Sequence, residues 1–288
     1  MKQFVLIISF LSFYNYCFSQ ESIIMGKVMD SKKNIGLNYA NIGIANKSVG
    51  TVSDSNGLFK LKLNDKVTIN DTIQFSYVGF KTKKILVSAL KTKDPIVLLE
   101  PQNNVLKEVI VKPKKFSFKR IGKSSAGLGL TSLGFYSYYD KDVDDRLSKE
   151  MGMKLELKGE SKIKDLCFKI ASNHFKSVKF RVNFYNIKND LPNELIVSKN
   201  IITEIKDGSV GWYTIDLEPY NIYFDKETKD IAVTIQWIEC KKSNPMSKYF
   251  NISAAISPFS TFYYRDKAMS TWTKIHQSMS FYLTTMVF

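Results

Sequence analysis

Gly50-Thr51-Val52-Ser53-Asp54-Ser55-Asn56-Gly57-Leu58-Phe59-Lys60-Leu61-Lys62-Leu63 reads as a short strand, a tight turn and a returning strand. From Leu58 onward the side chains alternate, Leu58 and Lys60 on one face and Phe59, Leu61 and Leu63 on the other, the period of a half-buried strand. Asp54 is placed to accept bonds from backbone N–H groups across the turn. Gly57 can take a positive φ without a Cβ clash. Working outward, Ile23–Met29 and Ala40–Ala45 precede this unit as strands, separated by the polar turn Asp30-Ser31-Lys32-Lys33-Asn34. Thr72–Tyr77 and Lys81–Val87 follow it, joined at the Val78-Gly79 corner. Ile96–Leu99 is wholly apolar and is expected to be central, and Val109–Val111 closes the unit before Pro113. Short strands separated by turn signals at this spacing predict a β-sandwich.

Five segments carry a resemblance. They are Gly26-Lys27-Val28-Met29-Asp30, Leu37-Asn38-Tyr39-Ala40-Asn41-Ile42, the Gly50–Phe59 stretch, Phe75-Ser76-Tyr77-Val78-Gly79-Phe80, and Leu106-Lys107-Glu108-Val109-Ile110-Val111. In that order they resemble the carboxypeptidase-regulatory-like domain, a small transthyretin-like sandwich. Leu37 or Gly36 stands where the family usually has Pro. In bacteria of the Bacteroidetes type this domain heads TonB-dependent outer-membrane receptors and many surface proteins. The resemblance implies an accessory module with no catalytic residues of its own. The zinc peptidase found beside it in some relatives needs a His-x-x-Glu pair and a later His. Here His174 is followed by Ser177, and His276 is the one other histidine. The residues after 124 are too few for a receptor's plug and large barrel.

The N-terminus reads as a secretory leader over residues 1–19. Lys2 supplies the positive end, Phe4–Phe13 the apolar run, and Cys17 and Ser19 the small residues before a cut at Gln20. Cys17 also raises lipid attachment, but Tyr14, Asn15 and Tyr16 are not the small residues expected before an acylated cysteine. No later run of 18 or more apolar residues predicts a membrane-spanning helix. The formal charge is +15, from 42 Lys+Arg against 27 Asp+Glu. Nucleic acid is not the expected partner, because most lysines alternate with apolar residues on strand faces. Lys112, Lys114, Lys115, Lys119, Arg120 and Lys123 form the one dense cluster, read as a solvated basic linker over 113–124, with attraction to anionic lipid or acidic polysaccharide as the sharper alternative. Export allows Cys167 and Cys240 to pair, and two free thiols are equally compatible with the sequence.

A second domain is expected over 125–288. Gly122–Asp145 is irregular yet too apolar at Leu128, Leu130, Leu133, Phe135 and Tyr136 to hang free. Strands are predicted at Met153–Leu157, Ile163–Ile170, Val178–Tyr185, Ile201–Ile205, Trp212–Leu217, Ile231–Ile238, Phe250–Ile256 and Ser280–Val287. Their number and spacing predict an antiparallel jelly-roll-like sandwich. Gly211–Leu217, Tyr220-Asn221-Ile222 and Val233–Ile238 resemble the late strands of carbohydrate-binding jelly rolls. An eight-stranded membrane barrel is the competing architecture. The final strand is apolar on both faces, which suits a packed sandwich better than a barrel wall.

No catalytic constellation stands out. Gly122-Lys123-Ser124-Ser125 has Ser117 where a phosphate loop needs its first Gly. There is no G-x-S-x-G elbow. Asp144-Asp145 reads as a polar loop, with calcium as the sharper alternative, and two isolated histidines make no zinc site. No catalytic residue, metal or cofactor is predicted. Trp212, Tyr213, Tyr263, Tyr264 and Trp272 are the candidate ligand-binding residues, because sugar rings stack on exposed aromatics; Arg265 and Asp266 lie beside them in sequence. Asp54, Gly57 and Gly79 are structural turn residues. The expectation is an all-β chain, a transthyretin-like sandwich over 22–112 followed by a larger jelly-roll-like sandwich. It is expected to be exported, to periplasm, outer-membrane surface or medium, with a cell-surface glycan or an outer-membrane protein as partner. A TonB-related envelope component and an unrecognised hydrolase are the alternatives.

Overall fold

The computed structural model describes residues 22–90, 94–102, 115–126 and 131–288. The leader, the Val109–Val111 strand, and Lys112, Lys114, Leu128 and Leu130 lie outside the described residues.

The first sandwich uses β1 (Ser22–Asp30), β2 (Asn41–Ile44), β3 (Gly50–Val52), β4 (Leu58–Leu63), β5 (Thr72–Ser76), β6 (Lys83–Leu86) and β7 (Ile96–Leu99). One sheet has the order β4-β1-β7, the other β3-β2-β5-β6. Alternation holds: Phe59, Leu61 and Leu63 of β4 point inward with Ile24 and Val28, against Ile42, Ile73 and Phe75 of the facing sheet. At the turn, Asp54 Oδ1 accepts from the N–H groups of Asn56 and Leu58, both at 2.8 Å. Gly57 sits at φ 82°, and a Cβ there would lie 2.5 Å from the Val28 carbonyl oxygen. Gly79 shares that φ with open space around it. Against expectation, β7 is an edge among the described strands. It pairs only with β1, in parallel, and leaves Ile96 and Leu98 exposed. Its unbroken apolar run, read as central, has one face in the core and one in solvent.

The remaining strands are β8 (Ser117–Gly122), β9 (Thr131–Gly134), β10 (Glu150–Glu156), β11 (Ser161–Asn173), β12 (Phe175–Lys188), β13 (Leu191–Leu195), β14 (Ile201–Lys206), β15 (Gly211–Asp216), β16 (Tyr223–Phe224), β17 (Asp230–Lys242), β18 (Phe250–Arg265), β19 (Thr273–Met279) and β20 (Phe281–Val287). They pair into one continuous sheet that folds over as two layers. One layer runs β12-β17-β10-β18, edged by β13, β14 and β19. The other runs β15-β11-β20-β8. Strand β18 serves both. Its first half pairs with β11 and β9, its last residues with β10, and the register shifts between Ile256 and Thr261. A bend of this kind lets one strand turn a sandwich corner. The inner faces share one core, where Phe168 stacks on Phe281 and Trp237 is walled by Phe135, Phe175, Phe180 and Phe250. The 113–124 stretch, read as linker, contains β8, which pairs antiparallel with β20. Exposed lysines hide its strand character, because only Ile121 is buried. Phe135, in the segment read as irregular, enters the core of this second sandwich.

The first sandwich covers the outer face of the β12-β17-β10-β18 layer. A transverse row of polar side chains crosses that face in register, Arg181 opposite Gln236, Gln236 opposite Glu150, Glu150 opposite Arg265. Arg181 donates to the Tyr39 carbonyl (2.6 Å), and Gln236 to Asn41 Oδ1 (2.9 Å). The Tyr39 hydroxyl donates to Glu239, which Lys179 also holds, both at 2.7 Å. Burial pushes the Glu239 carboxyl up, yet these two donors outweigh it and hold the group below the usual glutamate range. Tyr39, Val52 and Ile238 add a small apolar contact. Gly43 and Gly50 are cross-strand partners, and the Ala268 carbonyl occupies the space their side chains would take.

Candidate functional site

The structure separates the five aromatic candidates. Trp212 points outward from β15 and is 42% exposed. Tyr213 points the other way, packs on the core, and hydrogen-bonds Thr203 Oγ1 (2.9 Å) and the Glu204 carbonyl (3.1 Å). Tyr264 stacks on Phe262 against the same core. Tyr263 is 0% exposed, packed with Tyr185 and Ala232, its hydroxyl donating to the Asp190 carbonyl. Its expected place in a binding surface is therefore corrected: the residue is interior. Trp272 is half-buried over the Arg265 guanidinium, 4.5 Å from its ring centroid, and edge-on to Tyr185.

What surrounds Trp212 is the outer face of β15, β11, β20 and β8, and the pairing fixes a grid. Trp212 stands opposite Lys169. Thr214, Cys167, Tyr282 and Gly122 form the next row. Asp216, Asp165, Thr284 and Arg120 form the third, and Lys162, Met286 and Phe118 the fourth. The Trp212 and Tyr282 rings meet edge-to-face at 5.4 Å. Gly122 places no side chain beside Tyr282, so Arg120 leans across and lies 5.3 Å from that ring's centroid. A bulge between Ile163 and Asp165 brings Lys164 over Phe118 at 4.9 Å. These are cation–π geometries. Sequence reading missed Tyr282 and Phe118, and placed Arg120 in a basic linker cluster rather than on a strand. The alternation of Tyr282, Thr284 and Met286 with buried Phe281, Leu283 and Thr285 was the available signal for the first. The other two fell in the supposed linker.

A cavity of about 1180 Å³ lies between the outer face of β1 and β4 and the loop around Asp140–Asp145. Its charged groups largely serve the structure. Asp140 pairs with Arg146 and Lys149. Asp145 caps the turn at Asp142 and pairs with Lys62 at 2.6 Å. Lys267 reaches the carbonyls of Asp145 and Leu147, and burial pushes its amine down to about 8. Burial likewise pushes the Cys240 thiol up to about 12, away from thiolate chemistry. Cys167 and Cys240 are both free. No cluster of three or more metal-ligating side chains exists among the described residues. His174 lies edge-on to Tyr249.

Glu150 most resembles a reaction centre, and its bonds say otherwise. One carboxylate oxygen accepts from Asn183, Tyr185 and Thr234, the other from both Nε and Nη2 of Arg265. No lone pair is left aimed at solvent, so the group holds strands together.

The two facing sheets of the first sandwich, with the Asp54–Gly57 turn between β3 and β4, carry the decisive comparison. Residues 24–111 match the model of the CarboxypepD_reg-like domain. A TonB-dependent receptor P3 of Formosa agariphila is 34% identical over 96 residues, 33% of this chain and 9% of the receptor. The chain thus spans under a tenth of that relative's length. Within the CarboxypepD_reg-like domain, Asp54 and Gly57 serve the turn, and Tyr39 and Asn41 serve the contact with the second sandwich. No helix among the described residues is long and apolar enough to cross a membrane.

Proposed function

We propose that this chain is an exported, non-catalytic protein of the bacterial cell envelope that binds glycan on the open face around Trp212. The CarboxypepD_reg-like domain and the receptor match support the envelope setting. The observation that carries the ligand is the exposed Trp212 ring beside Tyr282, flanked by Lys169 and Thr214, which can donate and accept toward hydroxyl groups. An aromatic plate bordered by a few polar side chains is a recurrent plan for sugar-sized ligands. Among the described residues, the first sandwich covers Arg181 and Gln236 on the other layer's outer face, whereas the face around Trp212 stays open. Affinity electrophoresis through gels carrying soluble polysaccharides tests the reading. Trp212→Ala should abolish retardation while its melting curve stays that of wild type. Retardation that survives the substitution removes the site. The receptor match also favours a second reading, in which the same face docks an outer-membrane transporter protein. Co-purification dependent on Trp212, with no retardation by any polysaccharide, would select it.

A further inference from the structure

The grid on the open face bears an excess of cations with no partner. Arg120, Lys162, Lys164 and Lys169 all project from it, and none makes an ion pair among the described residues; the first and third lie over rings instead. Two carboxylates share the face, Asp165 and Asp216. They stand opposite each other in one row, and neither is within ion-pair distance of a lysine or arginine among the described residues. Elsewhere the chain pairs lysines when a carboxylate is in reach, as at Lys47–Asp71 and Lys62–Asp145. The ring faces of Tyr282 and Phe118 are each approached by a cation, which leaves Trp212 as the freest plate. A cation stands at its cross-strand neighbour, Lys169, and another, Arg120, beyond Tyr282.

We infer that the open face selects an acidic polysaccharide, with a sugar ring on Trp212 and carboxylate or sulfate groups at Lys169 and Arg120. The inference rests on the glycan-binding reading above and deepens it. Guanidinium and ammonium groups engage such anions by charge-assisted hydrogen bonds. Those held beside rings are partly oriented before the ligand arrives. A neutral glycan would leave the face with four cations against two carboxylates, an excess of positive charge that an acidic ligand offsets.

The test uses the full mature chain and two polymer pairs matched in backbone: polygalacturonate with its fully methyl-esterified form, and dextran sulfate with dextran. Binding should be about tenfold tighter to the charged member of at least one pair, a difference of ~1.4 kcal/mol. Whether one pair or both show it identifies the anion as carboxylate, sulfate or either. Arg120→Gln with Lys169→Gln should lose about tenfold on the charged polymer, with little change on its neutral match. Lys32→Gln with Lys33→Gln removes the same charge from an exposed turn of the first sandwich and should change binding less than about twofold. An equal loss in this control shows attraction by net charge alone and overturns the inference. Equal, Trp212-dependent binding of charged and neutral polymers also overturns it while leaving the glycan reading intact. No binding of any polymer removes both.

Discussion

Glu150 has no exposed side-chain surface, and Arg265 supplies its counter-charge. Removing one partner of a buried pair strands the other charge in a low-dielectric site. Glu150→Gln should therefore lower unfolding free energy by about 3 kcal/mol, measured by urea titration. A loss under about 1 kcal/mol would mean that water reaches Arg265. Lys267 is the opposite case, a buried amine whose pKa is pushed down to about 8. Between that value and the ordinary lysine range the unfolded chain binds more protons than the folded one. Stability from this group therefore rises with pH through that window, and the burden of the buried charge is complete below it. Wild type should gain on Lys267→Met as the pH climbs above 8, and a flat difference would place the amine in water. At this scale the sequence names both Trp212, which the structure leaves exposed, and Tyr263, which it buries. Alternation tells which face a residue is on. It does not tell that β18's outer face there is roofed by Trp272 and by Tyr185 of β12.

The β3–β4 hairpin is the element most legible from sequence, because its turn chemistry is local. Asp54 and Gly57 do there what their residue types require. Gly57→Ala demands a Cβ at positive φ against the Val28 carbonyl and should destabilise the first sandwich by about 2 kcal/mol in denaturant titration. Wild-type stability in that variant would show that the turn can re-form in another conformation. Elements defined by partners rather than by their own residues were harder to read. Strand β8 is mostly polar and basic and becomes a strand only through β20. Strand β7 has the apolar run of a central strand, but its neighbours decide its place. The long strands β11, β12 and β17 were recognised over their apolar centres and cut short at their ends, and β18 was ended at Ile256, before the shifted register that carries it on to Arg265.

In the whole molecule, the contact between the sandwiches was the least visible feature. Arg181, Gln236 and Glu150 occupy outward positions of their strands, a pattern that carries no mark of burial, and the covering sandwich makes them interior. Docking is close because two paired glycines, Gly43 and Gly50, admit the Ala268 carbonyl. Gly43→Val should push the bodies apart and split one unfolding transition into two, seen by calorimetry alongside faster proteolysis between them. A single unchanged transition would mean that the turn around Ala268 yields instead. The setting of the tryptophans has a practical side. Trp237 is enclosed by four phenylalanine rings, Trp272 rests on a guanidinium, and Trp212 meets solvent. Intrinsic emission from this chain is therefore a composite. Its blue part persists until the larger sandwich melts, and its red part is open to iodide and dims or shifts when anything settles on the outer sheet. One spectrum thus reports folding and occupancy at separate wavelengths, without a label.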